Sequence, residues 1–234
     1  FHLTASGQLK LIEINTNASM GLVGELIYQT HGLENYFGPS FGQQILDTFK
    51  TEHQLFLSGR MPFDNSKAAT SLTANSPLPS LKSIAIIDET PEKQKLYIEF
   101  LLYQELFEKH GLKCEIMDFK NCRPQDWDLV YNRHTDFLFV EPESQHLRQA
   151  YDDQQTCFSP NPFEYLALAA KERLLELQNI DLAEKFHLDQ MTNLIIQNTI
   201  LKSYAVQKTD PEWLWQNRKS LFFKPQRSFG GKAV

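Results

Sequence analysis

Glu13 and Asn15 are the first residues in the chain whose types and spacing could do chemistry. They stand two apart in Leu9-Lys10-Leu11-Ile12-Glu13-Ile14-Asn15, an alternating, partly β-branched run that predicts a strand. Both side chains would then emerge from one face of it. A carboxylate beside an amide oxygen on a rigid strand offers a seat for a hard cation such as Mg²⁺. Asn17, Ala18, Ser19 and Gly21 follow, residues small enough to let another group approach. The same spacing also describes the solvated face of an edge strand, and the segment alone does not choose.

A second group lies at the other end. Leu221–Lys224 reads as a strand running into Pro225-Gln226-Arg227-Ser228-Phe229-Gly230-Gly231-Lys232. Glycines let backbone N–H groups turn inward as an anion nest, and Lys224 and Lys232 add positive charge, a combination suited to phosphate. There is no Gly-x-x-x-x-Gly-Lys-Ser/Thr, so this is not a P-loop. The competing reading is an ordinary hairpin turn, for which Gly-Gly between strands is itself a strong signal.

The bulk composition sets the frame for these groups. The chain has 234 residues, 41% of them hydrophobic and 22% charged, with a net charge of −6. That length supports one large or two modest domains. The scattered lysines and arginines argue against nucleic acid as a partner. A polyphosphate ligand needs only a local cationic site. Cys114, Cys122 and Cys157 lack paired metal spacing and suit a reducing compartment. The histidines show no His-Glu-x-x-His pattern, so no zinc site is expected. No apolar run approaches a membrane span, which makes the cytoplasm the default expectation and a membrane partner unexpected. Phe1 sits at the start of a strand-like segment and Val234 follows a glycine turn too closely for a returning strand, as expected of an internal piece of a longer protein.

The elements that must position these residues follow from periodicity. Phe1–Thr4 and Leu9–Asn15 flank a turn and predict a hairpin. Met20–Gly32 reads as a small-residue-led helix or turn, and Phe41–Leu57 as an amphipathic helix. Residues 58–80 are rich in Ser, Pro, Ala and Asn and read as a linker. Lys82–Asp88 is an apolar strand, and Thr90-Pro91 opens a long helix that stops at Gly111. Lys113–Asp118 and Leu129–Asn132 are further strands, giving a βαβ unit and a parallel sheet. Thr156–Ser159 reads as another strand, and Pro160-Asn161-Pro162 as a turn into a helix from Phe163 to Gln178. A short helix is expected near Gln190–Gln197 and another over Asp210–Lys219.

LIEINTNAS near the start and FFKPQRSFGGK at the end resemble the paired signatures of the circularly permuted ATP-grasp ligases. That family includes the eukaryotic glutathione synthetases, the glutathionylspermidine-synthetase-like proteins and permuted bacterial relatives. VYNRHTDF (Val130–Phe137) and SPNPFEYLALAAKERL (Ser159–Leu174) also look like stretches of the bacterial branch. The resemblance spans nearly the whole chain in the right order. It implies an α/β fold: a partial ATP-grasp domain, with a mixed sheet and a glycine-rich hairpin, and an inserted Rossmann-like parallel-sheet domain. The implied divisions are residues 1–57 (metal-binding part), 58–81 (linker), 82–178 (inserted substrate domain) and 179–234 (nucleotide-binding part with the glycine-rich loop).

By the same resemblance, Glu13 and Asn15 look like Mg²⁺ ligands bridging ATP phosphates. Lys171, Lys224, Gln226, Gly230, Gly231 and Lys232 look like nucleotide contacts, and Arg133 like a substrate-side arginine suited to a carboxylate. Lys171 also reads as a solvated lysine on an amphipathic helix, and Arg133 as a salt-bridge partner of Asp136 or an interdomain contact. Ser228 departs from the glutathione synthetases, which place a glutamate that helps hold metal there. The implied activity is an ATP-dependent carboxylate–amine (or thiol) ligase working through an acyl phosphate, with small-molecule acid and amine substrates. The alternative is a nucleotide-binding or interaction module that has lost catalysis.

Overall fold

The computed structural model describes residues 1–33, 41–59, 78–178 and 182–224. Two compact units emerge. One comprises Asn17–Pro162, and the other joins Phe1–Thr16 to Phe163–Val234.

The larger unit is built on a four-stranded parallel sheet. Its strands are Ser83–Asp88 (β3), Lys113–Asp118 (β4), Leu129–Asn132 (β5) and Cys157–Ser159 (β6), in the spatial order β4-β3-β5-β6. The register sets Ile84 beside Cys114 and Leu129, and Leu129 beside Cys157. Both faces are covered, which is why the strands read as apolar runs rather than alternating ones. Ile84, Ile86, Leu129 and Tyr131 point to one layer. That layer contains Leu22 of helix Gly21–Thr30 (α1), Leu46 and Phe49 of Phe41–Leu57 (α2), and Phe100, Tyr103 and Phe107 of Tyr97–Lys109 (α3). Ala85, Ile87 and Val130 face the opposite layer with Phe119, Trp127 and Leu147, the last on helix Gln145–Asp152 (α4). The period-2 alternation of strand side chains thus divides one sheet between two cores.

Local chemistry fixes the strand ends. Asp128 Oδ2 accepts from the N–H groups of Lys82 and Ser83 at 2.8 and 3.0 Å, and Ser83 Oγ accepts from Asp128 N–H at 3.0 Å. Gly111 closes α3 at φ +78°, a left-handed conformation in which glycine pays no Cβ penalty, while Leu112 N–H reaches back to Phe107 O.

The predicted long helix from Thr90-Pro91 is broken. Pro91–Lys93 forms one 3₁₀ turn, Gln94 is extended, and the α-helix starts only at Tyr97. Asp118 Oδ2 accepts from Thr90 N–H at 2.9 Å and holds this turn to the end of β4. The predicted helix Phe163–Gln178 is also interrupted. Pro162–Glu164 (α5) leads to a π-helical turn, Tyr165–Ala169, then extended Ala170, then Arg173–Glu176 (α6). Helix α4 is an element that the sequence periodicity does not predict. The strand expected over Thr156–Ser159 begins at Cys157, and the hydroxyl of Thr156 just before it donates to Trp127 O at 2.7 Å.

The second unit opens with His2–Leu3 (β1) paired antiparallel to Leu9–Lys10 (β2), with Gly7 at φ +80° in the turn. The predicted strand to Asn15 ends early. Leu11 makes a single parallel bridge to Ile200, donating to Thr199 O at 2.8 Å, and no ladder continues through residues 12–15. Leu182–Lys185 (α7), Gln190–Thr199 (α8) and Pro211–Asn217 (α9) follow. Asp189 caps α8 and Asp210 caps α9, where Pro211 sits in the first turn. Leu221–Lys224, expected as a strand, pairs with no other strand among the described residues.

The units depart from the divisions expected from sequence at both ends. Residues 17–33 and 41–59 belong with the sheet because α1 and α2 bury Leu22, Leu46 and Phe49 in its core. Residues 163–178 belong with the terminal segments, where Gln178 exchanges hydrogen bonds with the Ser203 backbone at 2.9 and 3.3 Å. Among the described residues, no helix is long and apolar enough to cross a membrane.

Candidate functional site

In the unit made from the two ends, Lys224 Nζ lies 3.2 Å from Glu13 Oε2. Two residues singled out for different reasons, one as a cation ligand and one as a phosphate lysine, therefore form an ion pair. Glu13 and Asn15 are exposed. They do not owe their placement to a strand. The bridge from Leu11 to Ile200, and the Lys10 ammonium donating to Asn198 O at 2.5 Å, anchor the segment just ahead of them. Lys171 follows the π-helical turn, in which Ala170 N–H bonds to Tyr165 O at 2.9 Å. It therefore lies on a break rather than on the continuous amphipathic helix expected, and π turns recur at functional sites. Gln226, Gly230, Gly231 and Lys232 lie outside the described residues, as does Ser228.

In the parallel-sheet unit the functional geometry lies at the carboxyl ends of the strands. With the order β4-β3-β5-β6, the crossovers from β3 run first to one side and then to the other, so β3 and β5 flank the switch point where open α/β sheets bind ligands. Asp88 ends β3, Asn132 ends β5, and Arg133 N–H continues the pairing by donating to Ile87 O at 2.9 Å.

Arg133 is buried, and the loop it holds belongs to its own unit. Through Nη1 it donates to Asn17 Oδ1, to Ala18 O at 3.2 Å and to Tyr131 Oη at 3.2 Å, and it lies over the Tyr131 and Phe100 rings. Asp136 is not its ion-pair partner, since that carboxylate accepts from the N–H groups of Val140 and Glu141. Arg133 thus clamps residues 17–18, and a role toward a substrate carboxylate would require those partners to be released.

Two acids and a histidine in this unit, Asp88, Glu99 and His134, carry no motif in the sequence that marks them. Burial pushes the Asp88 carboxyl up to about 6, against the opposing pull of the Glu89 N–H and the Arg133 charge. Glu99 is 1% exposed. Burial raises its pKa, while Arg133 and the N–H groups of Met20 and Gly21 oppose the rise. Neither of its oxygens closes a well-formed hydrogen bond among the described residues. His134 is buried and held toward neutral by desolvation. A signal for Glu99 was present: it shares the spacing of Tyr103 and Phe107, four residues apart on the buried face of α3. Asp88 could have been found as the polar end of an otherwise buried strand facing the switch point.

No protein-family model matches this chain, and the search of curated proteins found no match for it.

Proposed function

We propose that the chain carries part of the ATP site of an ATP-dependent carboxylate–amine (or thiol) ligase of the ATP-grasp kind, with the parallel-sheet unit as its substrate domain. The observation that supports this reading best is the pair of Glu13 and Lys224, which brings the two terminal motifs to 3.2 Å of each other. The residues suit Mg²⁺-ATP. Glu13 offers an exposed carboxylate to a partly hydrated cation, and Asn15 is exposed two residues on. Lys224 is a mobile point charge that can exchange the carboxylate for a phosphate oxygen. Mg²⁺ held there would supply neutralisation of phosphate charge; a substrate carboxylate oxygen would take the γ-phosphoryl group of ATP with release of ADP, and an amine would then displace inorganic phosphate, losing a proton, to form the amide. The chain's own contribution is positioning and charge compensation by Glu13, Asn15 and Lys224.

Mg²⁺-dependent ATP binding by the purified chain tests the proposal, with Lys224→Met and Glu13→Gln as the variants. Unaltered binding in both would remove these residues from a nucleotide site. Ser228, standing where glutathione synthetases have a glutamate that helps hold metal, favours a second reading as a nucleotide-binding module without turnover. Release of ADP on addition of a panel of amino acids and small peptides separates the two.

A further inference from the structure

The loop after β5 gathers His134, Asp136 and Glu141. One ring nitrogen of His134 and one carboxylate oxygen from each acid lie within 4.8 Å of one another. The loop is rigidly specified. Asp136 Oδ1 accepts from Val140 N–H at 3.1 Å and Oδ2 from Glu141 N–H at 2.8 Å, and Phe139 bends the chain at φ +52°. Each carboxylate oxygen retains a further lone pair.

His134 is the second observation. It is 4% exposed, its ring is stacked on Phe119 at a centroid distance of 3.9 Å, and Nε2 lies 3.5 Å from Ser144 Oγ. Its Nδ1 has no hydrogen-bond partner among the described residues. A buried polar atom left unpaired is costly, and a metal ion bound at Nδ1 would relieve that cost. Burial favours neutral imidazole, the form that binds metals, while Asp136, Glu141, Glu89 and Asp118 surround it with negative charge. Glu141 is exposed, so the group opens to solvent on one side.

We propose that His134, Asp136 and Glu141 bind a divalent transition-metal ion of the Zn²⁺ type, with at least one coordination position left open. One imidazole nitrogen with two carboxylates suits such an ion better than Mg²⁺ or Ca²⁺, which take oxygen ligands and water. Bonds of about 2.0–2.2 Å require ligand atoms roughly 3–3.5 Å apart; the three atoms lie within 4.8 Å of one another, so side-chain rotation on binding would close the site. Three protein ligands leave room for a water or a substrate oxygen. The site is independent of the ATP reading.

Calorimetric titration of the 234-residue chain with Zn²⁺, with metal analysis after gel filtration, tests it. A single tight equivalent is expected, weakened at least about tenfold by Glu141→Gln; that position is exposed, so the fold should be unaffected. Co²⁺ in place of Zn²⁺ should give visible d–d absorption that Glu141→Gln alters. His134→Gln should abolish the equivalent while circular dichroism shows a folded chain. The proposal is overturned by the absence of a tight equivalent, or by Zn²⁺ affinity and a Co²⁺ spectrum unchanged in Glu141→Gln, which would place the metal on other histidines.

Discussion

Lys224 and Glu13 are 211 positions apart in the chain, yet Nζ of one and Oε2 of the other are separated by 3.2 Å. Their side chains are 27% and 51% exposed. Ion pairs so placed contribute at most about 1 kcal/mol to stability. Lys224→Met is therefore expected to leave the urea midpoint nearly unchanged while raising the apparent Kd for Mg²⁺-ATP about tenfold, or about 1.4 kcal/mol. Glu13→Gln should make ATP binding less dependent on Mg²⁺. A large loss of stability with unchanged ATP affinity would make the pair a structural contact only.

Arg133 behaves oppositely, because its guanidinium is buried and its partners cannot be replaced by water. Arg133→Met should destabilise the chain by about 3–5 kcal/mol in urea unfolding, and Arg133→Lys should not rescue it, since an ammonium lacks the planar fork. Adding Glu99→Gln to Arg133→Met should recover part of the loss, because Glu99 is a buried acid within the field of Arg133. Additivity of the two substitutions would show that they are uncoupled.

Asp88 carries a pH signature. Its carboxyl is raised to about 6 in the folded chain against 3.8 ordinarily. Between those values the native state binds the extra proton, so Asp88 makes stability fall as pH rises from about 4 to about 6, after which the effect is constant. Asp88→Asn keeps an oxygen for the Glu89 N–H and removes the titration. It should match the parent at about pH 4 and exceed it above pH 6 by on the order of 1–2 kcal/mol. Parallel stability curves across that range would show that Asp88 titrates normally.

Phe49 packs edge-on against Phe107 at 5.2 Å, Tyr131 at 4.9 Å and Tyr103 at 6.2 Å between ring centroids. It joins α2 to α3 and to the sheet. Phe49→Ala should cost about 3–5 kcal/mol of unfolding free energy. A cost below about 1 kcal/mol would show that α2 is dispensable to this core.

Periodicity and punctuation alone determined most of the α/β framework. Ile84–Ile87 had to be a strand buried on both faces, Phe41–Leu57 an amphipathic helix, and Gly111 a stop, because these depend on neighbours a few residues away. Glu13 and Lys224 were legible as chemistry-bearing types, and the resemblance set them in one site, but their direct ion pair was not legible. The interrupted helices were not legible, since the Asp118 contact to Thr90 that holds the first break spans 28 positions. Only the tertiary structure set the strand order that creates a switch point between β3 and β5, and only it buried Arg133 against Asn17, 116 positions away. The same holds for the His134 nitrogen that has no hydrogen-bond partner among the described residues. Burial and the charges around a group are sums over the whole fold, and in this chain they separate an exposed pair fit to exchange partners from a buried arginine that holds its own.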